Sequence, residues 1–368
     1  MVKEIDPGTL REWLSEERPV TVLDVRTGEE RAQWSIPGSL HVDAYEALRA
    51  GAPGALAHAA LPPDRPVVTV CAAGRTSRAA AEVLAGRGFE VFSLAGGMKA
   101  WSLAWNTAEV PVAGPSTRII QVRRTGKGCL SYVIGSGGDA AVIDPSLSPE
   151  VYLDLADRYR WHVRSVLETH IHADHLSRAR QLAERTGARL LLPEQGRVRF
   201  AFTPVADGDR ISIGSASLTA RRTPGHTDES TSYLLDGEAV FTGDTLFING
   251  VGRPDLHADP EAATRRAKAL FASLEQLRAL GPAIIVLPAH ASEPIAFDGR
   301  PISAPMKDLA AWLSEWLASE TAFVSRVVSR LPATPPNFAR ITELNEAGAF
   351  PAGDPTDLEA GANRCAIS

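Results

Sequence analysis

"ETHIHADHLS", residues 168–177, places three histidines and an aspartate within six positions, His170 to His175. It follows "VRSVL", an apolar run of strand character. Side chains alternate along a strand, so His170 and His172, two apart, can leave its end in the same direction. Asp174 and His175 then fall in the turn and can reach back toward the same space. Downstream, "TPGHTDES" (223–230) supplies His226, "FTGDTLF" (241–247) supplies Asp244 and "LPAH" (287–290) supplies His290. Each closes an apolar run, so several strand ends are expected to converge on one site. Imidazole and carboxylate donors together suit Zn(II), Fe(II) or Mn(II), and these seven groups are enough for one ion or two. Five of the nine histidines belong to this set.

The ordered motifs resemble the metallo-β-lactamase fold superfamily, over about residues 118–300. The resemblance implies an αββα sandwich with its metal site at one edge. Within it, "GDTLFINGVGRPDL" (243–256) is most similar to the persulfide dioxygenases of the ethylmalonic encephalopathy protein family. Carried over position by position, that family implies a single Fe(II) on His170, His226 and Asp244, with His172, Asp174, His175 and His290 as its neighbours. Two imidazoles and one carboxylate leave coordination positions open, where a persulfide and dioxygen can meet. Glyoxalase II-like relatives imply instead two Zn(II) ions held by all seven groups, Asp244 bridging, and a water activated to cleave a thioester. The ligand inventory satisfies both schemes. Arg253 matches a position that helps hold the thiol carrier's carboxylate, whereas "LPAHASEP" lacks the Asp-Tyr that often follows this last histidine.

Working outward, residues 1–106 alternate short buried strands, such as "VTVLDVR" (20–26) and "PVVTVC" (66–71), with a helical stretch at 77–88. Such alternation predicts a parallel sheet covered on both faces. Cys71 sits between a strand and a helix, so inward-facing N–H groups, the helix N-terminus and Arg75 all favour a thiolate or persulfide anion there. With "LDVRTGEE" (23–30), "IPGSLHV" (36–42) and "LAGGMKAW" (94–101), this loop resembles a single-domain rhodanese, which implies that Cys71 accepts and donates sulfane sulfur. Ala72 and Thr76 stand where that family usually has basic residues, which disfavours the thiosulfate dianion as donor. Cys129 reads as a small buried hydrophobe, and Cys365 has no role legible from its surroundings.

The expected architecture is therefore an α/β rhodanese-like domain (1–106), a connector "NTAEVPVAGPST" (taken as 107–117), an αββα metal domain (118–305) and a helical extension (306–368) packed on it. The 306–332 stretch places Leu309, Trp312, Leu313, Trp316, Leu317, Phe323, Val324, Val327, Val328 and Leu331 on one helical stripe. "LPATPPNFARITELNEAG" (331–348) also resembles the tail of fused sulfur-metabolism proteins.

Net charge is −6, shared evenly by residues 1–110 and the remainder, with no basic patch for nucleic acid. No run approaches the roughly 18 apolar residues of a membrane helix. Three cysteines, Cys71, Cys129 and Cys365, are too few and odd for a disulfide framework, and a cytoplasmic setting is expected. The resulting expectation is a bifunctional enzyme of hydrogen sulfide detoxification. It would oxidise a low-molecular-weight persulfide, such as glutathione persulfide, with dioxygen to sulfite and thiol. Cys71 would exchange sulfane sulfur with thiol carriers, thiosulfate or sulfite. A zinc thioester hydrolase with an accessory rhodanese-like domain is the alternative, a non-catalytic sensor fits the full ligand set least, and self-association stays open.

Overall fold

The computed structural model describes residues 2–52, 54–112, 117–361 and 363–367. Its N-terminal sheet has five parallel strands in the order Lys3–Ile5, Val91–Leu94, Val67–Val70, Thr21–Asp24, Leu40–His41. The helix Arg75–Gly86 buries Ala80, Ala81 and Leu84 against Leu23, Val67 and Val91 on one face of that sheet. Leu10 and Trp101 cover Val22, Val68 and Val70 on the other. Both faces are apolar, which is why the central strands read as unbroken hydrophobic runs.

The second domain is two face-to-face sheets. One has seven strands, ordered Thr203–Val205, Arg189–Pro193, His162–Leu167, Asp139–Ile143, Cys129–Ser136, Thr117–Arg124, Asn106–Val110. The other has six, ordered Arg210–Ile213, Ala216–Arg222, Thr231–Leu235, Ala239–Gly243, Ile285–Pro288, Ala304–Pro305. Alternation divides each strand between two cores. Leu130, Tyr132, Ile134, Ile143 and Leu167 meet Leu218, Tyr233 and Phe241 between the sheets. Val133, Ala140, Val142 and Val166 face outward, onto Tyr152 and Leu155 of helix Pro149–Tyr159 and Leu182 of helix Ala179–Thr186. On the far side, helices Pro260–Arg278, Met306–Trp316 and Glu320–Ser329 cover Val240 and Val286. The layers are α, β, β, α.

Three local features differ from the expected ones. Asn106–Val110, inside the stretch read as a connector, is an edge strand paired antiparallel with Thr117–Arg124. Its short Pro- and Gly-containing surroundings hid the pairing; residues 113–116 lie outside the described set. The 306–332 stripe is two helices, because Ser319 caps a new start by accepting from Ala322 N. Leu309, Leu313, Leu317, Phe323 and Val327 still share one core, and Trp312 and Trp316 pack on it half-buried. Finally, the tail ends as a strand, Ala366–Ile367, paired with Gly250–Gly252.

The N-terminal domain docks on the loop before Cys129. Trp34 Nε1 donates to Thr125 O at 3.0 Å, and Gly126 N donates to Ala104 O. A Cβ at Gly126 would stand 1.9 Å from Trp101 O, so only glycine permits this approach. Lys99 pairs with Asp354 and Asp357 of the C-terminal extension.

Candidate metal centre and sulfur-transfer loop

Asp144 ends the buried strand Asp139–Ile143 and turns through a left-handed conformation, φ 51°. Its carboxylate accepts from Thr169 N at 2.7 Å and from Thr169 Oγ1 at 2.8 Å. With its proton committed to Asp144, the Thr169 hydroxyl accepts from His170 Nδ1 at 2.9 Å, which leaves the Nε2 lone pair free. His226 is set in the same way: Nδ1 donates to Arg253 O at 2.8 Å. The two Nε2 atoms stand 3.8 and 3.5 Å from Asp244 Oδ2. His170 Nε2 and Asp244 Oδ2 are buried and have no hydrogen-bond partner. Buried polar atoms ordinarily do, so this set fits a cation: two neutral imidazoles and a carboxylate, converging with ligand atoms within 4.8 Å of one another. Burial, then the neighbouring His172 and His226, pushes His170 well below its ordinary range, which keeps it in the neutral, ligating form.

A second donor set lies beside the first. Cys129, Asp174, His175 and His290 offer atoms within 4.8 Å of one another. His290 links the two sets, with Nδ1 2.5 Å from Asp244 Oδ1 and Nε2 2.9 Å from Asp174 Oδ2. Burial alone would depress His290, but the two carboxylates overcome it and raise the group well above its usual value. His172 is turned to a third set. Its Nε2 lies 2.9 Å from Glu168 Oε2 and 3.3 Å from Asp144 Oδ1, while Nδ1 is buried without a partner.

Several of these neighbours were not singled out from sequence. Asp144 and Glu168 orient Thr169 and His172; a carboxylate closing the buried run "AAVID" was the available signal for Asp144. Cys129 is more than a small hydrophobe, since its thiol donates to Asp174 Oδ2 at 3.3 Å. Cys365 reaches the same place from the tail, within 4.8 Å of Asp244 and His290 donors. Asn363 Nδ2 donates to Asp174 Oδ2 at 3.0 Å. Arg253, expected at the carrier's carboxylate, is buried instead. Its guanidinium pairs with Asp255 at 2.7 Å and bonds Ala333 O and Arg364 O, clamping the C-terminal segment. Cavities of about 290, 380 and 400 Å³ reach His170 and His172, His226, and His290 respectively.

In the first domain, Cys71 directly follows strand Val67–Val70 and is 3% exposed. Gly74, at φ 86°, donates its N–H to Cys71 Sγ at 3.2 Å, and Ser77 Oγ lies 3.4 Å away. The sulfur thus accepts from one amide, Gly74 N–H, and donates to the Ser77 hydroxyl at the N-terminus of helix Arg75–Gly86, rather than facing a full ring of amides. Arg75 is exposed on its first turn, and Ala72 and Ala73 are exposed too.

Comparisons with known proteins agree with this layout. Residues 124–290 match the Metallo-beta-lactamase superfamily and residues 6–104 the Rhodanese-like domain. A hydroxyacylglutathione hydrolase of Methylococcus capsulatus is 32% identical over 209 residues, 55% of this chain and 78% of that protein. One from Rhodospirillum rubrum is 34% identical over 156 residues, 42% of this chain and 57% of that protein, so the chain spans little more than half of some curated relatives. The crystal structure of ETHE1 from Myxococcus xanthus superposes with a TM-score of 0.55 at 28% identity, covering 62% of this chain and 98% of that one. No helix among the described residues is long and apolar enough to cross a membrane. The chain belongs to the metallo-beta-lactamase superfamily and carries a rhodanese-like domain ahead of its metal-site domain.

Proposed function

We propose that the chain is a bifunctional sulfur-metabolism enzyme. Its metal domain oxidises a low-molecular-weight persulfide, such as glutathione persulfide, with dioxygen and water to sulfite and thiol. Its rhodanese-like domain moves sulfane sulfur through Cys71. The observation that carries this reading is the convergence of His170, His226 and Asp244, with His170 Nε2 and Asp244 Oδ2 buried and without a hydrogen-bond partner. An Fe(II) bound there would supply the electrons that make dioxygen reactive toward the persulfide sulfur. The protein's part is to keep both imidazoles neutral and aimed, through Thr169 and the Arg253 carbonyl, in a site whose ligands are all buried. His290 is held between Asp174 and Asp244, which fixes its ring beside the site.

At Cys71, the thiolate attacks the outer sulfur of a persulfide. One S–S bond forms as the carrier's breaks, and the carrier leaves as a thiolate. The Gly74 N–H is directed at the sulfur that makes and breaks these bonds. Cys71→Ser is therefore expected to abolish multiple-turnover sulfur transfer between carriers while iron content and oxygen uptake stay at wild-type levels. A transferase rate that survives the substitution would remove Cys71 from the scheme.

The second reading is a dinuclear thioester hydrolase, favoured by the second donor set and by the names of the curated relatives. Metal analysis after anaerobic purification separates the two. One iron per chain, oxygen uptake with glutathione persulfide and loss of both on chelation are expected. Two zinc ions per chain with cleavage of an acylated glutathione would replace the dioxygenase by the hydrolase.

A further inference from the structure

The scheme above leaves one buried thiol unused. Cys365 is 1% exposed, and the C-terminal segment holds it beside the candidate metal donors. Strand Ala366–Ile367 pairs with Gly250–Gly252, and Arg253 N donates to Cys365 O at 2.9 Å. Cys365 N donates to Asn363 Oδ1 at 2.8 Å, and the same Asn363 reaches Asp174. These bonds place the thiol with Asp244 and His290, all three donor atoms within 4.8 Å of one another. Asp244 carries the partnerless buried oxygen that marks the ligand-binding position. Cys365 is buried to the same degree as Asp244 (1% exposed), and its donor atom lies within 4.8 Å of theirs, so a sulfur species that reaches Asp244 and His290 also comes within reach of the thiol. Cys129, by contrast, lies within a central strand with its S–H directed at Asp174.

We propose that Cys365 is a second sulfur-accepting thiol of this chain, which takes the outer sulfur of a low-molecular-weight persulfide inside the metal centre. The inference rests on the persulfide reading of that centre. In the exchange, the S–S bond of the carrier persulfide anion breaks and a new S–S bond forms to Cys365 Sγ. The thiol proton leaves on the carrier, which departs as free thiol, and Cys365 is left as the persulfide anion. Nothing is oxidised or reduced overall.

The test uses the full iron-loaded chain with Cys71→Ser, which removes the competing acceptor. Glutathione persulfide is added without oxygen, persulfides are trapped by alkylation, and the peptides are weighed. The peptide containing Cys365 is expected to gain the mass of one sulfur atom, with a stoichiometric burst of glutathione. Adding Cys365→Ala to the same background should remove the burst. An unmodified Cys365 peptide, or sulfur found on Cys129 instead, overturns the inference; this measurement needs no Cys365 variant to fold. Oxygen uptake on readmitting air tests the underlying reading separately. Sulfur on Cys365 without uptake defeats the dioxygenase and leaves the acceptor standing, whereas uptake without sulfur on Cys365 does the reverse.

Discussion

His170→Ala, His226→Ala and Asp244→Ala are each expected to strip the chain of iron and to lower oxygen consumption by more than about 100-fold. Losing even an outer partner of a metal ligand costs about 10- to 100-fold in affinity or activity, and these three are the inner set. Asp244 should be the most severe. Its removal takes away the only negative charge of the set and leaves His290 without the closer of its two carboxylate partners. Sulfur transfer at Cys71 should be unchanged in all three, because that cysteine sits on a separately cored sheet. Metal analysis beside an oxygen-electrode trace decides this, and a fully iron-loaded, active Asp244→Ala chain would refute the triad. Asp144→Ala gives a graded control. It frees Thr169 to rotate and so loosens His170 without removing it, which places its effect within the outer-partner range.

Glu359→Ala is expected to give the largest loss of stability of any single substitution in the tail. Glu359 is fully buried. Its carboxylate meets Arg124 Nη2 at 3.1 Å and both terminal nitrogens of Arg178 at 3.2 Å, and accepts from Leu176 N at 2.6 Å. Lys127 Nζ donates to its backbone carbonyl. Removing the carboxylate strands two buried guanidinium groups, which costs about 3–5 kcal/mol. Denaturant titration should show that loss. Limited proteolysis should then cut beyond residue 348, because the tail from Thr356 to Ile367 is anchored here. A Glu359→Ala chain as stable and as protease-resistant as wild type would show that the ion cluster does not hold the tail.

The same residue sets an acid limit. Burial pushes its pKa up, but Arg124 and Arg178 prevail and hold it down at about 2, below the ordinary 4.5. A carboxyl group depressed in the folded state contributes stability that is fully present above its unfolded pKa and is lost as pH falls toward the folded value. Unfolding free energy should therefore decline between about pH 4.5 and 2 by roughly 3 kcal/mol from this group alone. Glu359→Gln should flatten that part of the profile.

Much of the molecule was legible in one dimension wherever neighbours in space are also neighbours in sequence. The spacing of His170, His172, Asp174 and His175 is a local property of a strand end and its turn, so it pointed directly to a candidate donor cluster. His226, Asp244 and His290 were legible as candidate donors because each closes an apolar run. The rhodanese-like loop around Cys71 is similarly contiguous. The stripe at 306–332 was readable as helix but not as two helices, since the capping role of Ser319 depends on where the chain turns.

What stayed hidden depends on contacts between distant residues. Asn363 and Asp174 are 189 positions apart, and Cys129 and Asp174 are 45 apart. Arg253 looked like a ligand-binding arginine because its motif says nothing of Asp255, Ala333 and Arg364 closing around it. The amino-acid order by itself determined that strands of period two end in imidazoles and carboxylates, and hence the fold and the donor inventory. Only the tertiary structure decided how those donors divide: Thr169 and the Arg253 carbonyl each occupy one imidazole nitrogen, and the other nitrogen is left facing Asp244. It also decided that the C-terminal strand brings Cys365 beside them. Hydrogen-bond direction and burial are set by the packing of layers far apart in the chain, and no spacing of letters encodes them.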